Sequence, residues 1–268
     1  MRKQLAANIS TNFKFYRRNR LILLIALFLL FILGLFSVPS LFFITTAKKF
    51  TLVQDLVSVL DEFAVFITVA LGLLSISYNL RNRCLKMVIT KPCSMENWLF
   101  SHFISALMVC AALFLFILVV SSVLLFIWHI PMQWGIVYVI LDEFFRAMII
   151  LSYIIFLTVI FHPVLAVLVA LFFQAGTFYG LTIWAKAGLE VGIVKKAYLH
   201  FLEKLFYALY MILPSMSPYS SRTRDIYLSF RVKPSEWKYL LFTFIYAVMV
   251  SVFFYFLADY FLKKRRHI

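Results

Sequence analysis

Asn97 to Leu141 reads NWLFSHFISALMVCAALFLFILVVSSVLLFIWHIPMQWGIVYVIL and contains no Asp, Glu, Lys or Arg. The stretch is too long for a single membrane crossing, which takes about 20 residues. His129-Ile130-Pro131 supplies the break, because proline disfavours helix in the residue before it. The reading is therefore two successive spans, Phe103 to about Trp128 and about Val137 to Phe161, joined by a tight turn. Asp142, Glu143 and Arg146 fall near the start of the second.

The same criterion, extended outward, marks four more spans. No charged residue lies between Arg20 and Lys48, which gives Leu21 to Ile44, with Pro39 near its emerging end. Phe63 to Leu80 is a shorter charge-free stretch. His162-Pro163 breaks the next apolar run and starts Val164 to Trp184, since proline is welcome in a first helical turn. Tyr239 to Leu262 is the last, ending in Lys263-Lys264-Arg265-Arg266. The expectation is an all-α polytopic membrane protein with six transmembrane helices, forming a single transmembrane domain over residues 1–268.

Composition agrees. The chain is 64% hydrophobic and 14% charged, with a mean hydropathy of +0.97. A soluble domain is nearer a quarter charged, and a water-soluble fold of this size has too little interior to hide that apolar surface. Thirty-one Phe against seven Gly favour bulky, interdigitating and lipid-facing helices. The net charge of +15 is read as span-flanking lysine and arginine on a cytoplasmic face rather than as a nucleic-acid surface.

Orientation follows the basic residues. Arg2, Lys3, Lys14, Arg17, Arg18 and Arg20 precede the first span, Arg81, Arg83, Lys86 and Lys91 follow the second, and four more close the chain. Six spans put all of them on one side, with Lys48 and Lys49 opposite. Both termini are thus expected in the cytoplasm. Residues 1–20 read as a basic amphipathic segment, lying in the interface or serving as a topology anchor. No cleaved signal peptide is expected, because the basic leader and the apolar run are both too long. Residues 186–238 fall outside, and Ala197 to Leu213, stopped by Pro214, reads as an amphipathic or re-entrant helix there; the rival reading makes it a seventh span and puts the basic C-terminal tail outside.

Catalytic and metal-binding patterns are missing from the sequence. Cys84, Cys93 and Cys110, and His102, His129, His162, His200 and His267, fit no ligand spacing. None of the seven glycines precedes a lysine, so there is no phosphate-binding loop. Asp142 and Arg146, at i and i+4, suit a salt bridge on the outer end of a helix. Gly176 and Gly180 form a GxxxG, a spacing that allows close helix approach and suits a dimer face. The loop from Asn79 to Trp98, NLRNRCLKMVITKPCSMENW, reads either as an ordinary basic loop or as a short docking helix. In the second reading Leu80, Leu85, Val88 and Ile89 form an apolar face, Arg81, Arg83 and Lys86 surround it, and a turn at Thr90-Lys91-Pro92-Cys93-Ser94 follows.

This layout resembles the ABC-2 family of transporter permeases. The match rests on Leu85, the aliphatics Val88 and Ile89, Pro92-Cys93-Ser94, and the overall order of spans. The chain departs from the family at Asn82-Arg83-Cys84, where Glu-Gly-Thr is favoured, and at Ser101-His102, where Gly-Lys is usual. The resemblance implies a coupling loop at Arg81, Arg83, Leu85, Lys86, Val88, Ile89, Pro92 and Ser94. It implies export driven by a separate ABC ATPase subunit that binds ATP and Mg, with no cofactor on this chain. It also implies a homodimer or pseudo-dimer of permeases in a bacterial inner membrane. Two other functions are carried beside it. One is an intramembrane enzyme using Glu143 and Arg146. That cluster resembles the Glu-Glu-x-x-x-Arg motif of CAAX-type proteases, but it is one residue short and lacks the later histidine motifs. The other is a passive membrane anchor for an ATPase complex.

Overall fold

Between Leu52 and Thr68 the buried positions are 52, 53, 56, 57, 60, 61, 64, 65, 67 and 68, the repeat of a helix with one face against its neighbours. That stripe makes a single continuous helix where the sequence suggested an outside loop followed by a short span. In the computed structural model, residues 2–18, 46–81, 95–191, 196–215, 226 and 231–265 are described. They form α1 (Arg2–Arg18), α2 (Thr46–Arg81), α3 (Met95–Ile127), α4 (Trp134–Ile160), α5 (Pro163–Phe172), α6 (Ala175–Val191), α7 (Lys196–Ile212) and α8 (Glu236–Arg265), and no strand occurs among them.

Four of these helices are long and apolar enough to cross a membrane: Lys49–Leu74, Glu96–Ile127, Trp134–Ile160 and Glu236–Lys264. The pair α5 and α6, bent by 45°, makes a fifth if it counts as one span. Phe126 is 81% exposed, Ile212 79% and Trp134 72%. Such an exterior suits lipid and not water. The expected first span, Leu21 to Ile44, lies outside the described residues.

The turn between α3 and α4 is fixed by its own hydrogen bonds. Ile130 N–H bonds Leu125 O at 2.9 Å, and His129 N–H bonds Phe126 O at 3.1 Å. This is a Schellman stop, with His129 at φ 55° in the left-handed position that glycine usually fills. Leu125 and Ile130, both buried in the main core, supply the apolar contact that accompanies it.

Side-chain pairs give the helix directions. Tyr138 meets Trp237, Phe145 meets Phe244 and Tyr153 meets Phe254, so α4 and α8 run parallel. Arg146 bonds Glu62, and Gly72 faces Ile154, so α2 runs parallel to both. α3 runs against them, its Phe100 meeting Tyr255 edge-on near the far end of α8. Arg81, Met95, Ile160 and Arg265 therefore share one end of the bundle, hereafter the base. α1 docks on α3 toward that end, with Tyr16 fully buried and Asn12 Nδ2 donating to Ser105 Oγ at 3.2 Å.

The fifth crossing is broken. Pro163 opens α5, and the helix stops at Phe173-Gln174. Tyr153 Oη of α4 donates to the freed Phe173 carbonyl at 2.9 Å. α6 and α7 then fold back on one another, and Ala175 N–H bonds Pro214 O at 3.3 Å. Tyr246 Oη of α8 accepts from Ser215 N–H at 2.8 Å. Backbone groups opened by a break at membrane depth must find such partners.

α2 and α4 approach closely at Gly72. A Cβ there would stand 3.1 Å from Ile154 Cγ2 and 3.2 Å from Leu151 Cδ1, whereas at Gly176 and Gly180 it would meet nothing within 4 Å among the described residues. Gly72→Leu is expected to destabilise the purified protein by about 1–3 kcal/mol, the cost of overpacking. Gly180→Leu should leave the melting temperature of the single chain unchanged. Thermal unfolding in detergent, followed by size-exclusion chromatography, checks both.

Candidate functional site: a charged centre between α2 and α4

Asp61 and Glu62 sit on α2, and Asp142, Glu143 and Arg146 on α4. The two helices bring them to one level. Twelve residues separate Lys49 from Asp61, and Trp134 from Arg146, about 18 Å of helix in each case. The group thus lies within both candidate spans. Charged residues there are rare, and they face a bundle interior or a water-filled cavity.

The centre is unbalanced, with four carboxyl groups around one guanidinium. Arg146 Nη1 donates to Glu143 Oε2 at 2.9 Å and to Glu62 Oε1 at 3.5 Å. The sequence suggested Asp142 at i+4 as its partner; the ion pairs instead run to Glu143 at i, i+3 and across to Glu62. Because both bonds leave the same nitrogen, the guanidinium is turned toward α2, and Glu143 lies on that side. Asp142 is 4% exposed. Asp61 is 3% exposed, and neither of its carboxylate oxygens has a hydrogen-bond partner. Its carboxyl feels the charges of Glu143, Glu62 and Arg146 directly.

The remaining wall is apolar or weakly polar. Phe114 of α3 meets Phe144 edge-on, with ring centres 5.9 Å apart. Two turns along α2 from Asp61, Thr68 Oγ1 lies 3.1 Å from Cys110 Sγ of α3. No group of three His, Cys, Asp or Glu among the described residues is placed to hold a metal ion.

A second polar cluster closes the base. Lys263 of α8 bonds Glu96 at the start of α3, and Asp259 one turn before it at 2.7 Å. Tyr255 Oη donates to Glu96 O at 3.1 Å. Ser101 and His102 are buried beside Trp98, which His102 meets edge-on with ring centres 4.6 Å apart.

Of the sites expected from sequence, Arg81 ends α2, while Arg83, Leu85, Lys86, Val88, Ile89, Pro92 and Ser94 lie outside the described residues. Gly176 and Gly180 stand on an exposed face of α6. Sequence reasoning missed Asp61 and Glu62. The signal was present: Asp61 continues the buried series Val53, Val57, Ala64 and Thr68 at helical spacing.

Removing one partner of a buried ion pair leaves the other charge uncompensated, at a cost of about 3–5 kcal/mol. The Arg146 and Glu143 side chains keep 25% and 15% exposure, so Arg146→Gln is expected at the low end, about 3 kcal/mol. Adding Glu143→Gln should return part of that loss. A double-mutant cycle on unfolding in detergent measures the coupling.

A scan against protein-family models, a search of characterised proteins and a search of solved structures each give no match to this chain.

Proposed function

We propose that the chain is the transmembrane permease subunit of an ABC-2-like transporter. It would cross a bacterial inner membrane six times, with both termini in the cytoplasm, and export its substrate using ATP hydrolysed by a separate subunit. The observation that carries this reading is the construction of the base. Residues 82–94 leave from Arg81 and return at Met95, and the first residues after them are tied to other helices. Glu96 is held by Lys263 and Tyr255 of α8. Ser105, further along α3, is held by Asn12 of α1. A push delivered to the loop therefore reaches α3, α8 and α1 together, as coupling to a soluble motor requires.

The hairpin of α6 and α7 supports the same reading. Its return arm, α7, brings Pro214 back to Ala175 before the last span begins, the re-entrant course expected between spans five and six. In this reading, Leu21 to Ile44 and the bent pair α5 and α6 complete the six spans. Arg81, Arg83, Leu85, Lys86, Val88, Ile89, Pro92 and Ser94 form the contact with the ATPase. Gly176 and Gly180, unopposed among the described residues, face a second permease.

The charged centre favours a second reading, an intramembrane enzyme built on Glu143 and Arg146. Its carboxylates, however, are partly committed to holding Arg146.

The test is purification in mild detergent from cells expressing the full operon. An ATPase with a phosphate-binding loop is expected to co-purify, and changing Pro92 together with Leu85 to aspartate should release it. Recovery of the chain alone would argue against the proposal. Glu143→Gln should preserve that complex. Loss of a hydrolytic activity in that variant, with assembly unchanged, would favour the enzyme.

A further inference from the structure

Asp61 combines three properties that do not sit together at rest. It is almost fully buried, it lies about 18 Å of helix inside a candidate span, and neither oxygen accepts a hydrogen bond. A bare carboxylate in such a place has lost its hydration and gained nothing in return. Its neighbours make matters worse. Glu62 adjoins it on α2, and Glu143 faces it from α4, with Asp142 beside Glu143.

Arg146 is the single cation of the group, and its Nη1 is already shared between Glu143 and Glu62. α3, the other helix packed on α2, carries no Asp, Glu, Lys or Arg from Asn97 to its end at Ile127. Its titratable group nearest along the seam is Cys110, engaged with Thr68. Something must therefore neutralise Asp61. No three ligating side chains among the described residues are placed to hold a metal ion, so a bound metal is not what the geometry offers.

We propose that Asp61 is an intramembrane proton-binding site, a carboxylic acid that takes up and releases one proton at the seam between α2 and α4. In the protonated form the carboxyl is neutral, and Arg146 stays with Glu143 and Glu62, the arrangement seen here. Release of the proton to water leaves an anion beside a guanidinium whose Nε–H is itself buried and unbonded. The ionised Asp61 then competes with Glu143 and Glu62 for Arg146. Uptake or loss of one proton thereby shifts Arg146 from Glu143 and Glu62 toward Asp61, and with it the fit of α2 on α4. This inference does not depend on an ATPase partner.

The experiment is labelling of the full chain in membrane vesicles with dicyclohexylcarbodiimide, followed by peptide mass mapping. This apolar reagent adds across a protonated carboxyl and rearranges to a stable N-acylurea, with no leaving group. Asp61 is expected to label well above Asp55, which lies exposed on the same helix. The labelling should fall with rising pH, about tenfold per unit once the carboxyl is mostly ionised. Sodium chloride at constant pH should not protect it, and Asp61→Asn should remove the label.

Labelling no greater than at Asp55, or unchanged with pH, would overturn the proposal. Protection by sodium would overturn it in favour of a bound metal cation. Thermal unfolding gives an independent reading. The wild type should lose stability as the pH is raised and Asp61 ionises, and Asp61→Asn, which keeps a neutral side chain of the same shape, should lose less. Equal alkaline loss in both would count against the site.

Discussion

Inside a bilayer, apolar side chains gain nothing by leaving lipid for one another, so helices must be held by close packing and by polar contacts. α4 shows how this chain meets that constraint. It packs against α2, α3, α5 and α8, and each contact uses a different device. Toward α8 it presents a ladder of rings, from Tyr138 on Trp237 to Tyr153 on Phe254. Toward α2 it packs Leu151 and Ile154 against the bare backbone of Gly72, and it reaches Glu62 through Arg146. Toward α5 it gives the Tyr153 hydroxyl to the broken end of the helix. Aromatic contacts fix distance while allowing slippage; the hydrogen bonds and the glycine fix register. The buried stripe of α4 runs its whole length for this reason.

Charge-free windows identified most of the spanning helices, because in lipid an uncompensated charge is the costliest thing a span can carry. The same rule failed at α2. Asp55, Asp61 and Glu62 made residues 46–62 look like an outside loop, yet the apolar positions around them keep a helical period straight through. Once Arg146 of α4 is present to pair with Glu62, the charge no longer ends the span. That compensation comes from a residue far along the chain, so no local window reports it. The turn at His129 was legible from Pro131. The break at Phe173-Gln174 was not, because it contains neither glycine nor proline and is held open by Tyr153 and Pro214 from elsewhere. The i, i+4 rule gives Arg146 Asp142 as its partner; in the structure its Nη1 bonds Glu143 and Glu62, and Glu62 lies on another helix that no spacing rule along α4 reaches.

The bundle is not equally firm along its seams. α2 and α4 are joined by an ion pair at one level and by Gly72 further toward the base. α3 is fastened at the base to α1 and α8, and at mid-height to α2 through Thr68 and Cys110. Between α3 and α4 the packing is thinner. An apolar cavity of about 230 Å³ opens there, lined by Ala111, Phe114, Leu115, Leu118, Ile140 and Phe144, among others. The walls of this open groove are apolar, so separating them breaks none of the hydrogen bonds or ion pairs that hold the other seams. A displacement of α3 driven from the base would be resisted at Ser105, Glu96 and Cys110 and would yield first along Phe114 and Phe144. The charged centre lies beside that line, on the α2 side of α4. Opening the seam would bring solvent or lipid closer to Asp61 and Arg146, and the state of those two groups would in turn set how firmly α2 follows α4.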